Sequence, residues 1–145
     1  MTNPFFVVKN FATFDDERVR DLLVGAFEGG SNYWYMIESY DYGGGYGPAD
    51  FVPGGRAFIE GWAGLLAYML PFVEGCSLLI SSPATDDDSE RKMDKLDRAA
   101  LQKGLALMAK NYGFTHYADF VNENDDANTA DVFLQLSLFG EVIFG

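Results

Sequence analysis

A chain of 145 residues, 48% hydrophobic and 16% aromatic, is long enough to bury a core and too apolar to stay disordered. Twenty-two acidic against ten basic residues leave a net charge of −12, a field that repels nucleic acid and argues against direct nucleic-acid binding. No apolar run approaches the ~18 residues of a membrane span, and the single Cys76 forms no internal disulfide, which suits a reducing compartment.

The N-terminal residues Met1-Thr2-Asn3-Pro4 lack the basic region and cleavage site of a signal peptide, so the cytoplasm is the expected location. Residues 4–11 are β-branched and aromatic and read as a short strand. Thr13, Asp15 and Asp16 offer a helix start, and Val19, Leu22, Leu23, Ala26 and Phe27 recur at spacings of three and four, predicting a helix over about 15–28. Gly29 and Gly30 are expected to stop it and turn the chain sharply. Ser31 and Asn32 would set the exit, and Tyr33, Trp34 and Tyr35 would then alternate along a strand over 32–40.

Residues 41–48 form a glycine-rich loop edged by tyrosines, with no phosphate-loop signature, and Pro53-Gly54-Gly55 is a second turn. Between Arg56 and Leu70 the pattern fits a helix through Phe58, Ile59, Trp62, Leu65, Leu66 and Met69, weakened by Gly61 and Gly64 and ended by Pro71. Cys76–Ser82 reads as a strand beside the 32–40 strand, and 83–90 as an acidic loop. Asp94 is the expected cap of a helix carrying Leu96, Leu101, Leu105 and Met108, closed by Gly113. A short helix follows from Thr115 to Asn122. Then Ala130–Phe139, capped by Asn128 or Thr129 and apolar on nearly every side, is expected to be the buried central helix. Glu141–Gly145 reads as a terminal strand. The expected fold is therefore one α+β domain over 1–145, with a small antiparallel or mixed sheet, helices on one face, and residues 41–72 an insertion or lid.

The chemistry-bearing residues select no reaction. His116, Asp119 and Glu123 share a helix face, but no second histidine exists to complete a metal site, and Asp125–Thr129 lacks the calcium-loop pattern. One histidine and no nucleophile motif leave no catalytic triad, so no catalytic residue, metal or cofactor is expected. Asp131 and Gln135 lie one turn apart on the buried helix and must find partners. Either they satisfy turn amides around Gly29–Asn32, or they line a pocket with Asn32 and Trp34. In the second case aromatic rings would stack a base, Asn32 and Gln135 would read its edge, and Arg56 would meet a phosphate. The candidate ligand-binding set is Ser31, Asn32, Tyr33, Trp34, Tyr35, Arg56, Asp131 and Gln135.

The segments Ala26–Tyr35 and Thr129–Gln135, with Phe139-Gly140-Glu141-Val142 close behind, resemble a family of small phage and prophage proteins in which 41–72 would be an insertion. The resemblance implies an accessory phage protein that opposes host defence, either by sequestering a small nucleotide immune signal without cleaving it or by blocking a defence protein. Aromatics, amides and a glycine-rich flap favour a nucleotide ligand, and such pockets often form between the subunits of a homo-oligomer. The alternative is an acidic nucleic-acid mimic of the anti-CRISPR or anti-restriction type. It would bind a host defence protein through the carboxylates at Asp86–Asp88 and from Glu123 to Asp131.

Overall fold

The computed structural model describes residues 5–8, 12–60, 65–84 and 90–145. The fold is α+β, with two small antiparallel sheets and helices. The chain gathers into two compact units: residues 1–35 with 99–145 form the first, and residues 36–98 the second. Among the described residues no helix is long and apolar enough to cross a membrane.

In the first unit, β1 (Phe6–Val8) pairs antiparallel with β2 (Ala12–Phe14), Phe6 opposite Phe14; of the strand expected over 4–11, Phe6–Val8 is observed, and residues 4 and 9–11 lie outside the described set. Thr13 belongs to β2 and does not start a helix. The side-chain amide of Gln102 receives the Val7 N–H at 3.0 Å and donates back to the Val7 carbonyl at 2.7 Å, pairing with β1 as a third strand would. Asp15 accepts the Arg18 N–H at 2.9 Å and caps α1 (Asp16–Gly25), whose Val19, Leu22 and Leu23 are buried at the expected spacing.

The α-helical part ends at Gly25, and helical backbone of any kind stops at Gly30, near the expected end. The backbone widens into a π-helical turn over Ala26–Gly30, closed by Ser31 N–H donating to the Ala26 carbonyl at 2.8 Å. Neither Gly29 nor Gly30 has a positive φ. Gly30 is required for another reason, since a Cβ there would collide with the backbone carbonyl of Ala127. Residues 31–34 then form a turn, so Tyr33, Trp34 and Tyr35 precede the strand instead of alternating along it.

Helix α2 (Arg98–Asn111) brings Leu101, Gly104, Leu105, Met108 and Ala109 into the core. Helix α3 (His116–Val121) follows, and the His116 ring nitrogen Nδ1 lies 3.0 Å from the Thr129 hydroxyl. Helix α4 (Ala127–Phe139) is buried continuously from Thr129 to Ser137 and on through Leu138, as its all-round apolar character requires. Its cap is Asp126, which accepts the Thr129 N–H at 2.9 Å, two residues before the expected start of the cap region. Gly140, at φ 78°, ends it in the left-handed conformation. Residues 141–145 form no strand. The N–H groups of Ile143 and Phe144, which a ladder would use, are taken by the side chain of Gln135.

In the second unit, β3 (Met36–Asp41), β4 (Ser77–Pro83) and β5 (Arg91–Leu96) form an antiparallel sheet with β4 in the centre and a bulge in β3 at Glu38. The expected pairing of the 76–82 strand with the preceding strand holds. β5 replaces the expected start of the next helix: Asp94 pairs with Ile80 across the sheet, and α2 begins only at Arg98. The Ser81 hydroxyl donates to Glu38 at 2.6 Å and accepts from Arg91 at 2.8 Å, tying all three strands by side chains. Between Arg56 and Leu70 the described residues hold a 3-10 turn at Leu66–Tyr68 and no α-helix, while Gly61, Trp62 and Gly64 lie outside them.

Candidate functional site

Asp131 is the centre of the polar cluster in the first unit. Facing outward from α4 it would be solvated; here only 6% of its surface is exposed, and Ser31 and Gln135 have none. A carboxylate in that position is stable only if its lone pairs are filled. Four neutral donors fill them. Ser31 Oγ (2.7 Å) and Trp34 Nε1 (2.8 Å) donate to Oδ1, and Tyr33 OH (2.6 Å) and Gln135 Nε2 (3.2 Å) donate to Oδ2. The turn after the π-helix delivers three of the donors, Ser31, Tyr33 and Trp34, from within four residues of one loop, and helical spacing delivers the fourth.

Gln135 is equally committed. Its Oε1 accepts the N–H groups of Ile143 and Phe144, each at 2.8 Å, and its Nε2 also donates to the Phe144 carbonyl at 3.1 Å. This holds residues 143–144 so that the Phe144 ring stacks on Trp34, with centroids 5.4 Å apart and planes inclined by 16°. Phe139 covers Trp34 as well, at 5.3 Å, leaving the indole 3% exposed. Tyr35 turns away to donate its hydroxyl to the Phe27 carbonyl at 2.7 Å.

The structure brings Ser31, Tyr33, Trp34, Asp131 and Gln135 together in one hydrogen-bonded cluster. The helix residues satisfy side-chain donors and the tail amides, not the amides of the 29–32 turn. Asn32 is exposed and outside the cluster. Arg56 belongs to the second unit, where its guanidinium donates to Asp50 (2.9 Å) and the Gly45 carbonyl (2.6 Å) and lies 4.1 Å over the Tyr46 ring. The backbone N–H of Gly47, then Arg56, hold the Asp50 carboxyl below its ordinary range. Tyr33 is the accessible member, 56% exposed. Burial of its hydroxyl, reinforced by the bond to Asp131, pushes its pKa up to about 12.

A second feature of the first unit escaped the sequence reading. The end of α2 and the turn into α3 enclose a cleft of about 450 Å³ lined by Lys110, Asn111, Tyr112, Phe114, Thr115 and Tyr117 among others, with no acidic residue in its lining. The walls are fixed. Tyr112 meets His116 edge-on at 5.5 Å, and Tyr117 packs against Phe14 and Phe120. Burial alone raises the Tyr117 pKa. The mouth is uncommitted: Phe114 is fully exposed, and among the described residues the side chains of Lys110, Asn111 and Phe114 have no hydrogen bond, ion pair or ring partner. Its signal in the sequence was the apolar Phe114 directly after the helix-closing Gly113, a position where a buried residue would extend the core.

His116, Asp119 and Glu123 do not converge: His116 is spent on Thr129, and among the described residues no group of three ligating side chains gathers. A scan of family models, a search of curated proteins and a search of solved structures each found no match to this chain.

Proposed function

We propose that this protein is a phage anti-defence factor that binds and sequesters a small nucleotide immune signal, without cleaving it, in the cytoplasm of the host cell. The observation that carries this reading is the cleft at the α2–α3 turn. It combines an exposed aromatic ring, a side-chain amide and a cation, none with a competing partner among the described residues, in a volume within the ~300–1,000 Å³ range of small-molecule sites. A ring of Phe114 type stacks a base, Asn111 bonds its edge, and Lys110 meets a phosphate. The aromatic cluster around Asp131 serves the same end indirectly, by locking the helix that the cleft-bearing segment packs on.

The test is mass spectrometry of small molecules released by heating the protein purified from cells with an active nucleotide-signalling defence. An intact nucleotide in stoichiometric amount, lost in Phe114→Ala, supports sequestration. A protein that comes away empty and binds no nucleotide by calorimetry refutes it, and a processed product indicates an enzyme instead.

One observation favours an acidic inhibitor of a basic host protein as the second reading. Arg18 holds α1 to the loop before α4 through Asp125 at 2.5 Å and the Phe120 carbonyl, and carboxylates collect around it. Burial raises the Asp21 pKa; Arg18 opposes the rise, and the neighbouring Glu17 and Asp125 add to it. The expected run from Glu123 to Asp131 is not a continuous stripe, because Asp126 caps α4 and Asp131 is buried. Asp86–Asp88 lie outside the described residues. Under this reading, Glu17→Lys with Asp21→Lys abolishes a salt-sensitive complex; under sequestration the double substitution leaves nucleotide binding intact.

A further inference from the structure

The charge of the cleft restricts what it can hold. Among the described residues Lys110 is the one cation in the lining, with no second lysine or arginine and no metal-ligating carboxylate beside it. The chain around it carries −12. Each further negative charge on a ligand adds repulsion from that field and gains no new partner, because a single ammonium acts as a point charge that neutralises about one anion. A triphosphate brings about three to four charges and is ordinarily met by several basic groups or a divalent cation, whereas a phosphodiester keeps one charge per phosphate and a terminal monoester ~1.5–2. Phe114, Tyr112 and Tyr117 meanwhile supply apolar ring surface suited to a base, and Asn111 and Thr115 supply hydrogen bonds independent of ligand charge.

We infer that the α2–α3 cleft selects nucleotides by low charge: it takes a base attached to a phosphodiester, of the kind present in a cyclic nucleotide, and rejects the corresponding polyphosphate. This rests on the sequestration reading and narrows it to a ligand class. The recognition is carried by Phe114 for the base and by Lys110 for the single phosphate charge.

The experiment compares a 3′,5′-cyclic mononucleotide, the nucleoside triphosphate of the same base, and the uncharged nucleoside by calorimetry on the full chain, with chelator present and at two salt concentrations. The cyclic nucleotide is expected to bind at least about tenfold more tightly than the triphosphate at low salt, with the gap narrowing as salt screens the protein field. Lys110→Gln should weaken the cyclic nucleotide and leave the nucleoside unchanged, while Phe114→Ala should weaken both. Equal or tighter triphosphate binding overturns the charge inference and leaves sequestration standing. No binding by any of the three, across a panel of bases, overturns the sequestration reading itself. Both residues are exposed, so neither substitution is expected to impair folding.

Discussion

Four donors on one carboxylate make Asp131 sensitive to the protonation of its neighbours. Tyr33 donates to Oδ2 only while its hydroxyl keeps its proton, and its folded pKa is raised from 10 to about 12. A raised folded value means that the unfolded chain loses the proton first. The stabilisation is therefore fully present below about pH 10 and disappears as the pH climbs from about 10 through 12. Urea titrations of the wild type and Tyr33→Phe between pH 8 and pH 12 should show the wild type more stable at pH 8 and the difference shrinking toward zero at pH 12. A difference that stays constant across that range would remove Tyr33 from the cluster's energetics. That Asp131 and Gln135 need partners was legible from their place on an apolar helix. Which partners they take was not, because Trp34 and Asp131 are 97 positions apart and Gln135 is matched by tail amides carrying no side-chain signature.

At the scale of elements, close approach decides what residue type alone left ambiguous. Gly104 lies inside α2, where alanine would ordinarily add up to ~1 kcal/mol of helix stability. A Cβ at Gly104, however, would run into the side chain and Cα of Ser137 on α4. We expect Gly104→Ala to destabilise the protein by about 1–3 kcal/mol, the usual cost of forcing extra volume into a close-packed contact. Chemical denaturation decides it, and a gain in stability would mean that the two helices do not touch there. The long amphipathic helices were readable because their apolar spacing is periodic, as Val19, Leu22 and Leu23 show. β5 was hidden because Arg91–Leu96 is mostly charged and its place is set by pairing with the buried β4, a long-range cause that local pattern does not record. The terminal strand failed for the converse reason. Val142, Ile143 and Phe144 have strand propensity, but Gln135 captures the backbone of Ile143 and Phe144 in place of a neighbouring strand.

For the molecule as a whole, the residues that hold the first unit together and those available for binding are different sets. Trp34 is 3% exposed with its N–H on Asp131, while Phe114 is fully exposed with no ring partner among the described residues. Stability and ligand binding should consequently separate by mutation. Trp34→Phe keeps much of the ring stacking but strands one acceptor site of a buried carboxylate, a loss of about 1–3 kcal/mol. It should lower the denaturation midpoint while nucleotide affinity at 25 °C stays within about twofold of wild type, since no ring of the cleft is altered. Phe114→Ala should do the reverse, leaving the unfolding free energy within about 0.5 kcal/mol of wild type, as exposed substitutions usually do, and costing most of the binding. If Trp34→Phe abolishes binding at a temperature where the protein is fully folded, the ligand sits against the indole after all. That outcome would require residues 143–144 to leave Gln135 and Trp34 when the ligand enters, and the same variant would then report it through altered protection of the Ile143 and Phe144 amides from hydrogen exchange.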